Sequence, residues 1–266
     1  MNLRPLCIAL LTSLCAVGAA EQPASVDSKE ITWSFKGLPA SMHMKITGQS
    51  EPAKATVYLP PGYTLEKKYP LVVLINGAEG GQGRDTGFAR SVVGDQDFIC
   101  LAVPTYKETV EPLKDDDSNH WSRMFIDRNE GRYAWRCYRV MLEKLFAEVP
   151  NIDLDRTFFG GFSNGANITA ALLSSPESAP EFLKYFHHFV LAEGGDELEP
   201  SAPLAGDHFL VLRGSRSGNL LDKLKRKLES DKAKWEEYVM EGGGHEFSAA
   251  GKERVKQWIQ AQCAAR

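Results

Sequence analysis

Apolar positions along this chain fall into short blocks whose period switches between two and about 3.6, and the switching dictates layers of strand and helix. Residues 30–37 alternate apolar and polar side chains, as a half-buried strand does. Residues 55–59 alternate too, and Pro60-Pro61-Gly62 ends them. Residues 71–75, 97–103, 189–192 and 209–212 are continuous apolar runs instead, the pattern of strands covered on both faces. Between them lie helical patterns. Residues 132–148 place Trp135, Val140, Leu142, Leu145 and Phe146 broadly on one face, with Pro150 beyond the end. Residues 248–262 do the same with Val255, Trp258 and Ile259. Alternating strands and helices with buried strands predict an α/β fold: a mainly parallel central sheet flanked by helices. The first two strands, joined through turns, form its antiparallel N-terminal edge.

Composition narrows the class. The chain has 266 residues, 43% hydrophobic and 25% charged, enough for one α/β domain with a large core. A net charge of −4 supplies no positive field for nucleic acid or an anionic membrane. Residues 1–20 read as a signal peptide: Arg4 gives the positive start, residues 6–17 the apolar stretch, and Gly18-Ala19-Ala20 the small-residue cleavage site. The apolar stretch is short for a bilayer span, so no stable membrane insertion is expected after cleavage. Residues 21–266 would then be a single domain, secreted or periplasmic. Cleavage removes Cys7 and Cys15 and leaves Cys100, Cys137 and Cys263, an odd number that argues against a disulfide framework. One pair remains open to an oxidising compartment, and the sequence does not choose it. Cys100, in an apolar run, reads as an inert core thiol. No Cys/His spacing matches a metal site, and no cofactor is expected.

The chemistry gathers around Gly161-Phe162-Ser163-Asn164-Gly165. An apolar run, Thr157-Phe158-Phe159, precedes it and a helical run follows. That order puts a serine on a sharp strand-to-helix turn that lifts its hydroxyl out of the sheet. A serine hydroxyl needs a base to take its proton. His245 follows the strand-like Tyr238-Val239-Met240 and the loop Glu241-Gly242-Gly243-Gly244, and it precedes the last helix. His43, His187, His188 and His208 sit in or beside strand runs and read as structural, and His120 is an outside candidate. The developing oxyanion needs fixed N–H donors. One is Asn164, after the serine and at a helix start. The other comes from the loop Asn76-Gly77-Ala78-Glu79-Gly80-Gly81, at Ala78 with Gly77 as the alternative. Residues 107–130 form a charged insertion at the carboxyl end of a strand, where ligands bind in open α/β sheets. It is either an active-site wall or a solvated loop. The run Lys223, Lys225, Arg226, Lys227 reads as the wet face of a helix.

Four segments carry a resemblance: Val57-Tyr58-Leu59-Pro60-Pro61-Gly62-Tyr63, Pro70-Leu71-Val72-Val73-Leu74-Ile75-Asn76-Gly77, the Ser163 turn, and Gly244-His245 before the last helix. Together they resemble the α/β-hydrolase fold, in particular secreted esterases of the polyhydroxybutyrate-depolymerase, feruloyl-esterase and dienelactone-hydrolase-like group. The resemblance implies ester hydrolysis through an acyl-enzyme on Ser163, with His245 as base and a small-molecule or polymer ester as substrate. Two positions depart from the family pattern. Asn76-Gly77 stands where the family has His-Gly, and Ser217 stands where it has the triad acid. Glu193 and Asp196, after the preceding strand, are the first substitutes, ahead of Asp222. The departure at Ser217 motivates an alternative, a non-catalytic binding protein (a pseudoenzyme) on the same scaffold. A peptidase is weaker, because no propeller or large extra domain is visible.

Overall fold

The computed structural model describes residues 28–39, 52–77, 83–106, 131–217 and 222–265. The strands β1 (Lys29–Pro39), β2 (Pro52–Leu59), β3 (Tyr69–Ile75), β4 (Ile99–Ala102), β5 (Ile152–Phe162), β6 (His188–Ala192), β7 (His208–Gly214) and β8 (Lys234–Met240) form one sheet. Its order is β1-β2-β4-β3-β5-β6-β7-β8. β2 runs antiparallel to both β1 and β4, and all other neighbours are parallel. The helices are α1 (Gly87–Val93), α2 (Gly131–Glu148), α3 (Asn164–Ser174), α4 (Ala179–Phe182), α5 (Asp222–Ser230) and α6 (Ala249–Ala264).

The continuous apolar strands are explained by two cores, one on each face. Leu71, Val73, Ile75, Phe159, Phe189, Leu191, Phe209 and Val211 join residues of α2, α3, α4 and α5. Their neighbours Val72, Leu74, Phe158, Val190, Ala192, Leu210 and Leu212 join α1 and α6. Successive side chains of a strand point to opposite faces, so a strand buried on both must be apolar throughout. Fully burying each large side chain contributes about 1.5–3 kcal/mol, and this fixes the strands whose ends carry the site.

β2 differs from its half-buried expectation, because residues 55–59 are all buried. Thr56 Oγ1 donates to the Gly83 carbonyl at 2.8 Å and lies 2.9 Å from Thr32 Oγ1. The Tyr58 hydroxyl donates to the Asp95 carbonyl at 2.9 Å. The alternation thus reports polar atoms satisfied indoors, under cover of β1, β4 and α1. Helix α1, with Ala89, Val92 and Val93 buried, has no counterpart among the helical patterns of the sequence.

Among the described residues Cys100, Cys137 and Cys263 are free thiols, and burial pushes Cys100 up to about 12. His188 is packed between the rings of Phe158, His208 and Trp258, and burial lowers it to about 4. The basic run lies on α5, where Lys225 Nζ is 2.8 Å from Glu237. Residues 1–20, His43, Ala78 and the insertion 107–130 lie outside the described residues. Among the described residues no helix is long and apolar enough to cross a membrane, and no group of His, Cys, Asp or Glu could hold a metal ion.

Candidate active site

The carboxyl ends of β3, β5, β6, β7 and β8 meet at one place. β5 ends at Phe162, and Ser163 caps α3 with φ 52° and ψ −111°. That left-handed conformation costs a residue with a Cβ about 1–3 kcal/mol. It persists because the surroundings hold it. The Ser163 N–H donates to the Ala192 carbonyl at 2.8 Å, and the Asn167 N–H donates to the Ser163 carbonyl at 3.0 Å. The flanking glycines are required by contact. A Cβ on Gly161 would lie 1.9 Å from the Ile75 carbonyl oxygen, and one on Gly165 would lie 2.1 Å from it. Strand β3 therefore passes directly beneath the turn.

Ser163 is 9% exposed, and its Oγ lies 2.9 Å from His245 Nε2. His245 reaches it from the loop after β8, with its side chain 60% exposed. Its ring packs on Phe162 at a centroid distance of 5.1 Å, and Phe247 stacks on the same Phe162 at 5.9 Å. His245 Nδ1 faces Glu193 Oε2 at 3.4 Å, an ion-pair distance just beyond the roughly 2.7–3.2 Å of a hydrogen bond. Such contacts are often long without substrate and tighten in the reacting complex.

Glu193 directly follows β6, and its side chain is only 3% exposed. It too has a positive φ, 53°. Its N–H donates to the Leu212 carbonyl at 2.9 Å. Its carboxylate accepts the Gly214 N–H on Oε1 and the Ser217 hydroxyl on Oε2, the latter at 2.7 Å. The Gly195 N–H donates to Asn167 Oδ1 at 2.8 Å, tying the turn after Glu193 to α3.

The other two candidate acids are not brought to His245. Asp196 is half-buried, and burial raises its carboxyl above the ordinary value. Asp222 is in the first turn of α5, with its carboxylate 3.8 Å from Lys225 Nζ. Of the oxyanion candidates, Asn164 is the first residue of α3, at the positive end of the helix dipole. Gly77 passes close over the turn: a Cβ there would lie 2.8 Å from Phe162 Cδ1 and 3.1 Å from Ser163 Cβ. Its N–H, however, donates to Asn76 Oδ1 at 2.8 Å. Asn76 thereby occupies the Gly77 donor.

Sequence reasoning did not foresee the donors around Glu193, or Phe162 and Phe247 beside the imidazole. Phe162 is the residue between Gly161 and Ser163 in the motif. Nothing in the sequence marked Gly214 N–H as a carboxylate donor.

No family model matches the chain, and no curated protein matches it. Solved structures do. TT1662 from Thermus thermophilus matches with a TM-score of 0.57 at 15% identity, over 91% of this chain and 100% of that one. A Bacillus cereus carboxylesterase matches with a TM-score of 0.52 at 18% identity, over 88% and 94%. A ferulic acid esterase from Anaeromyces mucronatus, in complex with ferulic acid, matches with a TM-score of 0.52 at 14% identity, over 91% and 93%. The sheet order, the strained serine between β5 and α3 and these likenesses define the fold: it is the α/β-hydrolase fold, with an antiparallel edge at β1 and β2.

Proposed function

We propose that this protein is a serine hydrolase that cleaves a carboxylic ester through an acyl-enzyme on Ser163. The observation that carries the reading is the line from Ser163 Oγ to His245 Nε2 at 2.9 Å and from His245 Nδ1 to a buried Glu193 carboxylate at 3.4 Å. For Nε2 to accept the hydroxyl proton, Nδ1 must carry the other ring proton, and a carboxylate facing Nδ1 favours that tautomer. Ser163 Oγ attacks the ester carbonyl as His245 takes its proton. The imidazolium that forms is stabilised by Glu193 and then protonates the leaving alcohol. Water, deprotonated by His245, releases the acid and regenerates the hydroxyl.

The tetrahedral oxyanion is held by the Asn164 N–H at the α3 start and by a second N–H from the loop after β3. With the Gly77 N–H turned to Asn76, Ala78 is the second donor in this reading. Each such donor is worth about 2.7–4 kcal/mol. Structural neighbours that include a carboxylesterase and a ferulic acid esterase support ester chemistry. The binding-only alternative arose from Ser217 at the usual acid position; in this reading Glu193 supplies the carboxylate instead. The charged insertion 107–130 is proposed as a wall that selects the ester, and residues 1–20 as a signal that sends the protein out of the cytoplasm.

Turnover of short-chain aryl esters by the purified protein tests the reading. Hydrolysis that vanishes in Ser163→Ala supports it, and hydrolysis that persists in that variant overturns it.

A further inference from the structure

We infer that Ser217 is a positioning residue, and that the turn Gly214–Ser217 clamps the acid and the base of the site against each other. The inference rests on the hydrolase reading above. The turn makes hydrogen bonds to both partners. Toward Glu193 it offers the Gly214 N–H on Oε1 and the Ser217 hydroxyl on Oε2. Toward the end of β8 and the His245 loop it offers the Ser215 N–H to the Met240 carbonyl at 3.1 Å and the Arg216 N–H to the Gly243 carbonyl at 2.9 Å. Ser215 Oγ accepts the Gly242 N–H at 2.9 Å. The Ser217 N–H closes the turn on the Gly214 carbonyl at 3.1 Å. The fit allows no side chain at its start, since a Cβ on Gly214 would lie 2.4 Å from the Gly244 carbonyl oxygen.

The hydroxyl matters because of which oxygen it holds. Oε2 is also the oxygen that faces His245 Nδ1 at 3.4 Å. The last torsion of a glutamate is broad, so a hydrogen bond to Oε1 alone leaves the carboxylate plane free to turn. A second donor on Oε2 fixes that plane. The imidazole does not supply that bond here, because its Nδ1 stands 3.4 Å from Oε2, beyond hydrogen-bond distance. Ser217 thus acts on the reaction through Glu193. Its loss falls on kcat and leaves KM in place.

The test is aryl-ester kinetics on Ser217→Ala, Ser217→Thr, Glu193→Ala and the Glu193→Ala/Ser217→Ala double variant. A hydrogen bond to a charged group is worth a factor of about ten or more. Ser217→Ala should therefore lose about tenfold or more in kcat at unchanged KM, and Ser217→Thr, which keeps the hydroxyl, should recover most of it. On the Glu193→Ala background, Ser217→Ala should lose nothing further, because the group it positions is gone. Unchanged kcat in Ser217→Ala, or the same loss with and without Glu193, overturns the inference while leaving an active hydrolase. A wild-type protein with no esterase activity overturns the hydrolase reading and this inference with it.

Discussion

Replacing Glu193 by Gln changes one charge and almost no volume, and its effect can be worked from the geometry. In the proposed mechanism His245 becomes an imidazolium 3.4 Å from the Glu193 carboxylate. At that separation a unit charge pair is worth about 1.2 kcal/mol at the dielectric of water and about 5 kcal/mol at an effective value near 20. The 3% exposure of Glu193 pulls toward the larger figure, and the 60% exposure of His245 toward the smaller. With each 1.36 kcal/mol worth a factor of ten, the charge alone accounts for roughly 10-fold to 4,000-fold. The amide adds a second fault. Its NH2 can face Nδ1 and favour the wrong tautomer, with the proton on Nε2, so that the imidazole no longer accepts from Ser163. We expect kcat to fall by about 10²–10⁴-fold with KM little changed. Initial rates on an aryl ester over a range of concentrations measure both. A Glu193→Gln enzyme within about threefold of wild type in kcat, beside an inactive Ser163→Ala, would refute the argument.

Gly165→Ala should unfold the turn rather than tune it. Its Cβ would lie 2.1 Å from the Ile75 carbonyl oxygen, and relief requires moving β3. The expected loss is about 3 kcal/mol or more, a fall of roughly 6–12 °C in thermal midpoint, and a midpoint within about 2 °C of wild type would contradict the contact. His188 should make folding acid-sensitive. Its folded value of about 4 lies below the ordinary 6.5, owing first to burial and then to His208. Between those values the unfolded chain binds a proton that the folded one does not, so this contribution is intact above about 6.5 and lost as pH falls toward 4. His187 has the opposite sign: its bond to Asp207 raises its value, and the stability from it fades as pH rises through that value. Thermal melts across this range should show a shallower acid limb in His188→Phe, and an unchanged limb would remove His188 as the cause.

The parts of this molecule visible in the sequence were those set by repeating local physics. Strands buried on both faces write continuous apolar runs, and β3, β6 and β7 were legible for that reason. The Ser163 turn was legible because two close approaches to Ile75 demand glycine at fixed spacing around the serine. A glycine loop before the last helix drew attention to His245. Most of what stayed open depended on contacts distant in the chain. Glu193, Asp196 and Asp222 are all carboxylates in the segments that follow β6 and β7. Only the positive φ of Glu193 and the donors Gly214 and Ser217 turn one carboxylate toward the imidazole. Gly77 stayed open for a local reason: its N–H is taken by the side chain of its neighbour Asn76, an orientation that residue type alone does not set. The full burial of β2 was hidden because Thr56 and Tyr58 look like surface residues until their partners Gly83 and Asp95 are in place.

In the proposed mechanism His245 makes Ser163 Oγ nucleophilic. Reaction of the folded protein with a fluorophosphonate, followed by peptide mass spectrometry, tests it most directly. One phosphonyl adduct is expected, on Ser163, that forms far more slowly in His245→Ala and not at all in Ser163→Ala. An unmodified Ser163, or equal labelling with and without His245, would contradict it.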